Sequence, residues 1–179
     1  MQRHVAFLRG INLGGRRLSM DRLRAAFEEL GFSNVATFIA SGNVIFDGDG
    51  DVGRELEARI EAHLARVLGY DVDTFLRPLD ELHAIARGEG LPGADDPDWN
   101  VHVMFLRDAP GRDIATNLKR LETEGDRFVV RGREVFWQRR GKLSESTIET
   151  ADLARALRGA TSTMRNMNTV RRIVSRFSR

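Results

Sequence analysis

The sequence predicts an α+β fold of duplicated ferredoxin-like (βαββαβ-type) subdomains with a C-terminal helix. Three observations carry that expectation. Strand-like and helix-like periods alternate as β-α-β-β-α-β over the first half, the split βαβ arrangement. The pattern then restarts, with His4-Val5-Ala6-Phe7-Leu8-Arg9 echoed by His102-Val103-Met104-Phe105-Leu106-Arg107. Between the halves, Gly88 to Asp98 is dense in glycine, proline and aspartate, as a linker would be. The expected organisation is therefore 1–87, a linker at 88–98, and 99–179 ending in a basic helix.

The elements follow from local chemistry. Residues 4–9 form a β-rich run that stops at Gly10. A glycine-rich loop, Gly10 to Arg17, leads to Ser19, an N-cap residue before Met20, Leu23, Phe27 and Leu30 at helical spacing, with Gly31 as the stop. Residues 34–40 and 43–46 read as strands around Ser41-Gly42, a hairpin signal. Leu56, Ile60, Leu64, Val67 and Leu68 mark a helix closed by Gly69, in which Glu55, Glu57 and Glu61 read as a solvated face. A strand over 71–77 and a short helix over 78–87 complete the half. In the second half a helix is expected over 113–121, two strands around Arg131-Gly132-Arg133, and a helix near 149–157. A Gly-Ala-Thr-Ser-Thr loop then precedes a last helix striped with Val170, Ile173, Val174 and Phe177.

Composition narrows the function classes. The 179 residues hold no cysteine, which excludes a disulfide framework, a thiolate metal site and a cysteine nucleophile. No apolar run reaches the roughly 18 residues of a membrane span, and the start lacks an apolar signal region, so the expected location is cytoplasmic with no membrane partner. The net charge of +2 hides a segregation. Seven of the 28 basic residues are arginines between Leu153 and Arg179, a stretch without acids, leaving 21 basic against 26 acidic residues elsewhere. Such a stretch reads either as a contact for nucleic acid or as a packed terminal helix.

Chemistry-bearing patterns are sparse. His4, His63, His83 and His102 lie in no metal spacing and read as packed or surface residues. Asp47-Gly48-Asp49-Gly50-Asp51 imitates the opening of a calcium loop, but Val52 and Ala58 stand where the loop needs glycine and glutamate. Ser41 and Ser144 lack a nucleophile's flanking motif, so no catalytic residue, metal or cofactor is assigned. In a ferredoxin-like strand order the end of the first strand lies beside the start of the third. That order brings Arg9, Gly10 and Asn12 near Ser41, Gly42 and Asn43, where a helix N-terminus and the glycines Gly14 and Gly15 would suit an anion.

Phe7-Leu8-Arg9-Gly10-Ile11-Asn12-Leu13-Gly14-Gly15, Ala40-Ser41-Gly42-Asn43-Val44-Ile45-Phe46 and Thr163-Met164-Arg165-Asn166-Met167-Asn168-Thr169-Val170 together resemble the bacterial domain-of-unknown-function family numbered 1697. The resemblance implies two ferredoxin-like α+β subdomains and brings no activity, cofactor or catalytic residue. Met167 departs from that family's usual tryptophan, and the loop after Gly15 looks shorter.

The leading expectation is a binding module with a polar, anion-accepting site for a nucleotide, phosphorylated metabolite or nucleic acid. Its residues are Arg9, Gly10, Asn12, Gly14, Gly15, Ser41, Gly42, Asn43, Arg165 and Asn166, the arginines clamping charge and the asparagines fixing orientation. Two alternatives stand beside it: an enzyme using the same site, and a protein-interaction scaffold that pairs as a homodimer.

Overall fold

A computed structural model describes residues 1–12, 18–39, 42–49, 53–92 and 96–178. The chain packs as two units, Met1–His83 with Ile173–Arg179, and Ala84–Arg172. In the first, β1 (Gln2–Arg9), α1 (Met20–Glu28), β2 (Ser33–Thr37), β3 (Asn43–Gly48), α2 (Arg54–Leu68) and β4 (Asp73–Pro78) follow one another, and α3 (Leu79–Arg87) continues from β4. In the second come β5 (Trp99–Leu106), α4 (Arg112–Arg120), β6 (Asp126–Arg131), β7 (Glu134–Arg140), a 3-10 turn at Leu143–Glu145, α5 (Thr150–Ala156), β8 (Ser162–Asn166) and α6 (Met167–Phe177). The dividing points of the units fall inside α3 and α6. Within the second unit, Leu91 is buried and the Pro92 carbonyl accepts from Gln138 Nε2 at 2.6 Å, so part of 88–98 packs rather than merely connecting.

Both sheets are antiparallel and share one topology, β2-β3-β1-β4 and β6-β7-β5-β8. In each, the first and third strands lie at the centre and the second and fourth at the edges, the ferredoxin-like order. The echoed hexapeptides sit on the two central first strands. His4 pairs with Phe46 and Pro78, and His102 with Trp137 and Asn166, so the repeat is one of register as well as of sequence. β8 corrects the expected Gly-Ala-Thr-Ser-Thr loop, whose last two residues begin a strand. Its Ser-Thr-Met-Arg-Asn has no apolar alternation, and its conformation is imposed by five residues of pairing with β5.

Alternation on the strands and helical spacing on α1 and α2 build the first core. Ala6, Leu8, Val44, Phe46 and Leu76 meet Leu23, Ala26 and Phe27 of α1 and Ile60 and Leu64 of α2. Phe27, Phe32 and Phe46 stack as tilted rings, Phe32 and Phe46 being 4.3 Å apart. Each buried ring contributes roughly 1.5–3 kcal/mol of burial. Ser19 caps α1 as expected, its Oγ accepting from the Arg22 amide at 3.2 Å, and Gly69 ends α2 at a φ of 79°. In the second unit Met104, Leu106, Val135 and Trp137 pack on Ile114, Leu118, Ala156 and Leu157. Beneath them Asp126 is buried and accepts four hydrogen bonds. Trp137 Nε1 (2.8 Å) and Ser146 Oγ (3.0 Å) reach Oδ1, while Thr123 Oγ1 (2.9 Å) and Arg139 Nη1 (3.2 Å) reach Oδ2.

The acidic face of α2 is the second correction. Glu57 is only 2% exposed. Its Oε1 accepts the Leu76 amide at 3.0 Å, and Glu61 Oε1 accepts the Thr74 amide at 2.8 Å. Those amides point outward from edge strand β4, so the two carboxylates, one helical turn apart, act as its missing neighbour. Glu55 stays exposed. Glu57→Ala leaves a buried N–H without its acceptor and is expected to cost about 1–3 kcal/mol in urea unfolding. Glu57→Gln, which keeps an acceptor oxygen, is expected to recover most of the loss, and Glu55→Ala to stay within about 0.5 kcal/mol. Equal losses at positions 55 and 57 would return the pair to a solvated face.

Candidate functional site

The carboxy-terminal end of β1 brings together Arg9, Gly10, Asn12, Gly42 and Asn43 of the expected residues. Arg9 pairs in register with Asp73, yet Nη1 stays 3.9 Å from Asp73 Oδ2, and the arginine side chain is 52% exposed. Gly10 turns the chain at a φ of 89°, and Ile11 then drops into the core. Three contacts fix this turn. Tyr70 donates its hydroxyl to the Ile11 carbonyl at 3.0 Å, and Asn12 Oδ1 accepts the Leu18 amide at 3.4 Å. Gly42 supplies the third, because a Cβ there would lie 2.8 Å from Ile11 Cδ1 and 3.2 Å from Leu8 Cβ. Its carbonyl accepts the Leu8 amide at 2.8 Å, which ties the start of β3 to the end of β1 as the strand order required.

The expected residues divide into groups. Arg9 and Asn12 are exposed, whereas Asn43 is fully buried, with Nδ2 donating to the Phe38 carbonyl at 2.9 Å. The Phe38 amide returns a bond to the Asn43 carbonyl at 3.0 Å, so Asn43 works in closing the β2–β3 turn. Gly14, Gly15 and Ser41 lie outside the described residues, as do Arg16 and Arg17. Arg165 and Asn166 belong to the second unit. Arg165 Nη1 donates to Thr163 Oγ1 (2.8 Å) and the Met164 carbonyl (2.9 Å), and burial pushes its guanidinium down to about 10. Asn166 Oδ1 accepts the Asn168 amide at 2.8 Å, in the manner of an N-cap for α6.

The arginines of the C-terminal stretch have individual partners. Arg155 pairs with Asp152 (2.9 Å) and Arg158 with Asp113 (2.5 Å), while Arg171 Nε donates to the Ala86 carbonyl (3.1 Å) and Arg176 lies over Phe177. α6 buries Met167, Val170 and Ile173, the pattern of a packed terminal helix. The calcium-like aspartates also resolve differently. Asp47 receives a two-pronged bond from Arg3 (Nε to Oδ1 2.8 Å, Nη2 to Oδ2 3.0 Å) and a third from Asn34 Nδ2 (2.7 Å). The Arg3 hydrogen bonds hold the Asp47 carboxyl below its ordinary range, at the opposite end of β1 from Arg9. Burial alone lowers the His102 imidazole. Among the described residues no group of three His, Cys, Asp or Glu side chains is placed to hold a metal ion, and no helix is long and apolar enough to cross a membrane.

Sequence reasoning missed Tyr70 and Glu57. Tyr70 is the chain's one tyrosine and stands directly after Gly69, but nothing local signals that its hydroxyl reaches a carbonyl 59 residues earlier.

A family model described as "Protein of unknown function (DUF1697)" matches residues 1–136. The solved structure of the conserved bacterial protein SP0830 from Streptococcus pneumoniae is similar over 100% of this chain and 99% of its own, at 25% identity and a TM-score of 0.77. No curated protein matches the chain.

Two outcomes are expected at β1. Gly42→Ala forces an alanine to a φ of 75° and crowds Ile11, and is expected to destabilise by about 1–3 kcal/mol. Ile11→Val removes the crowding methyl, so the double variant should lose less than the sum of the singles by at least about 0.5 kcal/mol. An additive cycle would detach Gly42 from Ile11. At the other end, the lowered Asp47 contributes stability above its unfolded pKa of about 3.9. That contribution is lost as pH falls through the lower folded value. The stability gap between wild type and Asp47→Asn, followed by denaturant titration, is therefore expected to close between about pH 5 and about pH 2. A gap constant over that range would show that the pair contributes no pH dependence.

Proposed function

The chain belongs to the DUF1697 family of proteins of unknown function, and on that footing we propose that it is a binding module that accepts a phosphate-bearing anion at the end of β1. The observation that carries this reading is Arg9. Its guanidinium is about half exposed, and 3.9 Å to Asp73 is too long for a hydrogen bond, so its donors remain available to a ligand. Asn12 stands exposed three residues on. The turn between them is held by Tyr70, Gly42 and Leu18. A fixed turn loses little freedom on binding, which favours affinity. The sequence that follows, Gly14-Gly15-Arg16-Arg17, adds charge directly before α1.

The Arg3–Asp47 pair lies at the far end of β1, where neither member could serve Arg9 as a general acid or base. A nucleotide or phosphorylated metabolite suits this small basic turn better than a long nucleic acid, since the described C-terminal arginines are engaged elsewhere in the fold. The cytoplasm, where such metabolites are made, is the location this reading implies.

The test is thermal unfolding of wild type and Arg9→Ala with pyrophosphate, ADP, glucose 6-phosphate and a short RNA. At a hundredfold excess over Kd a ligand adds about 2.7 kcal/mol, or roughly 5–10 °C for a chain of this size. That shift is expected in wild type and is expected to shrink to a small fraction in Arg9→Ala, whose unliganded midpoint should be unchanged. Equal shifts in both proteins, or no shift with any of the four, would sink the proposal.

A further inference from the structure

The four sheet edges of this protein are not finished alike. On β4 the outward amides of Thr74 and Leu76 are both taken by Glu61 and Glu57. β2 is broken by a register shift between Ser33 and Ala36, with Asn34 at a φ of 50°. β8 has five residues and passes straight into α6. β6 differs. Its hairpin partner β7 pairs Arg127 with Gln138, Val129 with Phe136 and Arg131 with Glu134, and the two-residue turn Gly132-Arg133 makes Arg131–Glu134 a hydrogen-bonded pair. The intervening Phe128 and Val130 therefore turn their backbone groups outward. The Phe128 amide confirms that direction, donating to Glu122 Oε1 at 3.0 Å. Among the described residues nothing takes the outward amide of Val130.

Beside this edge runs a groove of about 560 Å³ between β6 and α4, walled by Ala115, Thr116, Lys119 and Arg120 on the helix and by Phe128 and Val130 on the strand. Ala115 and Thr116 are small and exposed, which leaves room for side chains entering from outside. The charge around it is mostly positive, with Glu122 as the acid on the edge. Arg127 lies with its Cζ 4.3 Å over the Trp99 ring, and Arg131 donates to the carbonyls of Glu89 and Gly90. Those partners orient the guanidiniums without neutralising them. Arg120 is exposed on the groove wall, and the Lys119 charge alone is balanced, by Glu122. An edge open at Val130, beside an apolar groove and flanked by three arginines without an acidic partner, matches an extended chain that alternates apolar and acidic residues. A second copy of β6 matches badly. Antiparallel self-pairing centred on Val129 would set Arg127 against Arg131, like charges directly opposite.

We propose that the groove between α4 and the free edge of β6 is a docking site for an extended acidic segment of a partner protein, which adds to the second sheet as a fifth strand. Its backbone would exchange hydrogen bonds with Val130, its apolar residues would enter beside Ala115 and Phe128, and its carboxylates, on the opposite face, would meet Arg127 and Arg131.

The probe is a set of fluorescein-labelled heptapeptides in which valine or leucine alternates with glutamate, read by polarisation against the full chain. At least one member is expected to bind more tightly than about 1 mM and to weaken as salt rises. Val130→Pro removes an amide that bonds nothing inside the fold, so it should abolish binding while the thermal midpoint holds. Arg127→Glu, a surface change that keeps the fold should Val130→Pro not, is expected to weaken binding about tenfold. Methylating alternate amides of the best peptide should abolish its binding to wild type. The proposal is overturned if no member binds, or if methylated and unmethylated peptides bind alike. Sedimentation showing a wild-type dimer that Val130→Pro dissolves would also overturn it, in favour of self-pairing.

Discussion

Every amide that a four-stranded sheet turns outward needs an acceptor, and the way this protein meets that requirement organises much of the rest of it. The ferredoxin-like order leaves two edges per sheet, one formed by the second strand and one by the fourth. On β4 the answer comes from a helix. Glu57 and Glu61 stand one turn apart on α2, and the rise of a helical turn, about 5.4 Å, is close to the spacing of alternate strand residues, about 6.6 Å. Two carboxylates can therefore serve Thr74 and Leu76 together. The arrangement fixes α2 against β4 and buries Glu57, which Arg54 then neutralises at 2.9 Å. Burying a carboxylate is tolerable only because an amide and a guanidinium both meet it.

The same requirement acts at the strand ends. The Asn43 side-chain amide donates to the Phe38 carbonyl and the Phe38 amide to the Asn43 carbonyl, closing the β2–β3 turn, and the Gly42 carbonyl takes the amide of Leu8. Because Gly42 must approach β1 this closely, it has no room for a side chain, and Ile11 fills the space that remains. The turn that presents Arg9 is thus set by the sheet's own hydrogen bonding. The exposure of Arg9 has a similar origin. Its register partner Asp73 starts the edge strand β4, where both side chains reach water.

The sequence was most informative where a residue's conformation is decided by its neighbours in the chain. Ser19 before an apolar stripe, Gly69 after one, and Arg131-Gly132-Arg133 between two β-rich runs each specify a local geometry, and each is found there. The echo of His4–Arg9 in His102–Arg107 gave away the shared topology, because a central strand buried on both faces must be apolar almost throughout. What escaped depends on partners remote in sequence. β8 is a strand because β5 offers an edge, not because Ser-Thr-Met-Arg-Asn prefers one. Glu57 looks like any helical surface acid until β4 is placed beside it. The paired donor and acceptor groups of Asn43, the chemistry expected of a ligand contact, also join a turn in the fold.

Charge shows the distinction most sharply. Along the chain the basic residues cluster after Leu153, yet in the fold Arg155 and Arg158 face carboxylates and the half-buried Arg165 bonds Thr163. A run of like charge in sequence therefore need not make a charged surface, because a helix and a strand distribute its members to different sides. The converse occurs on β6. Arg120, Arg127 and Arg131 come from a helix and a strand with acidic residues between them, at Glu122, Glu124 and Asp126, so the segment is nearly neutral as written. Folding then removes Asp126 into a buried network with Trp137, Thr123, Ser146 and Arg139, and turns Glu122 onto Lys119 and the Phe128 amide. Two of the three acids are thereby spent on the scaffold, and the positive surface along β6 is what the fold leaves behind.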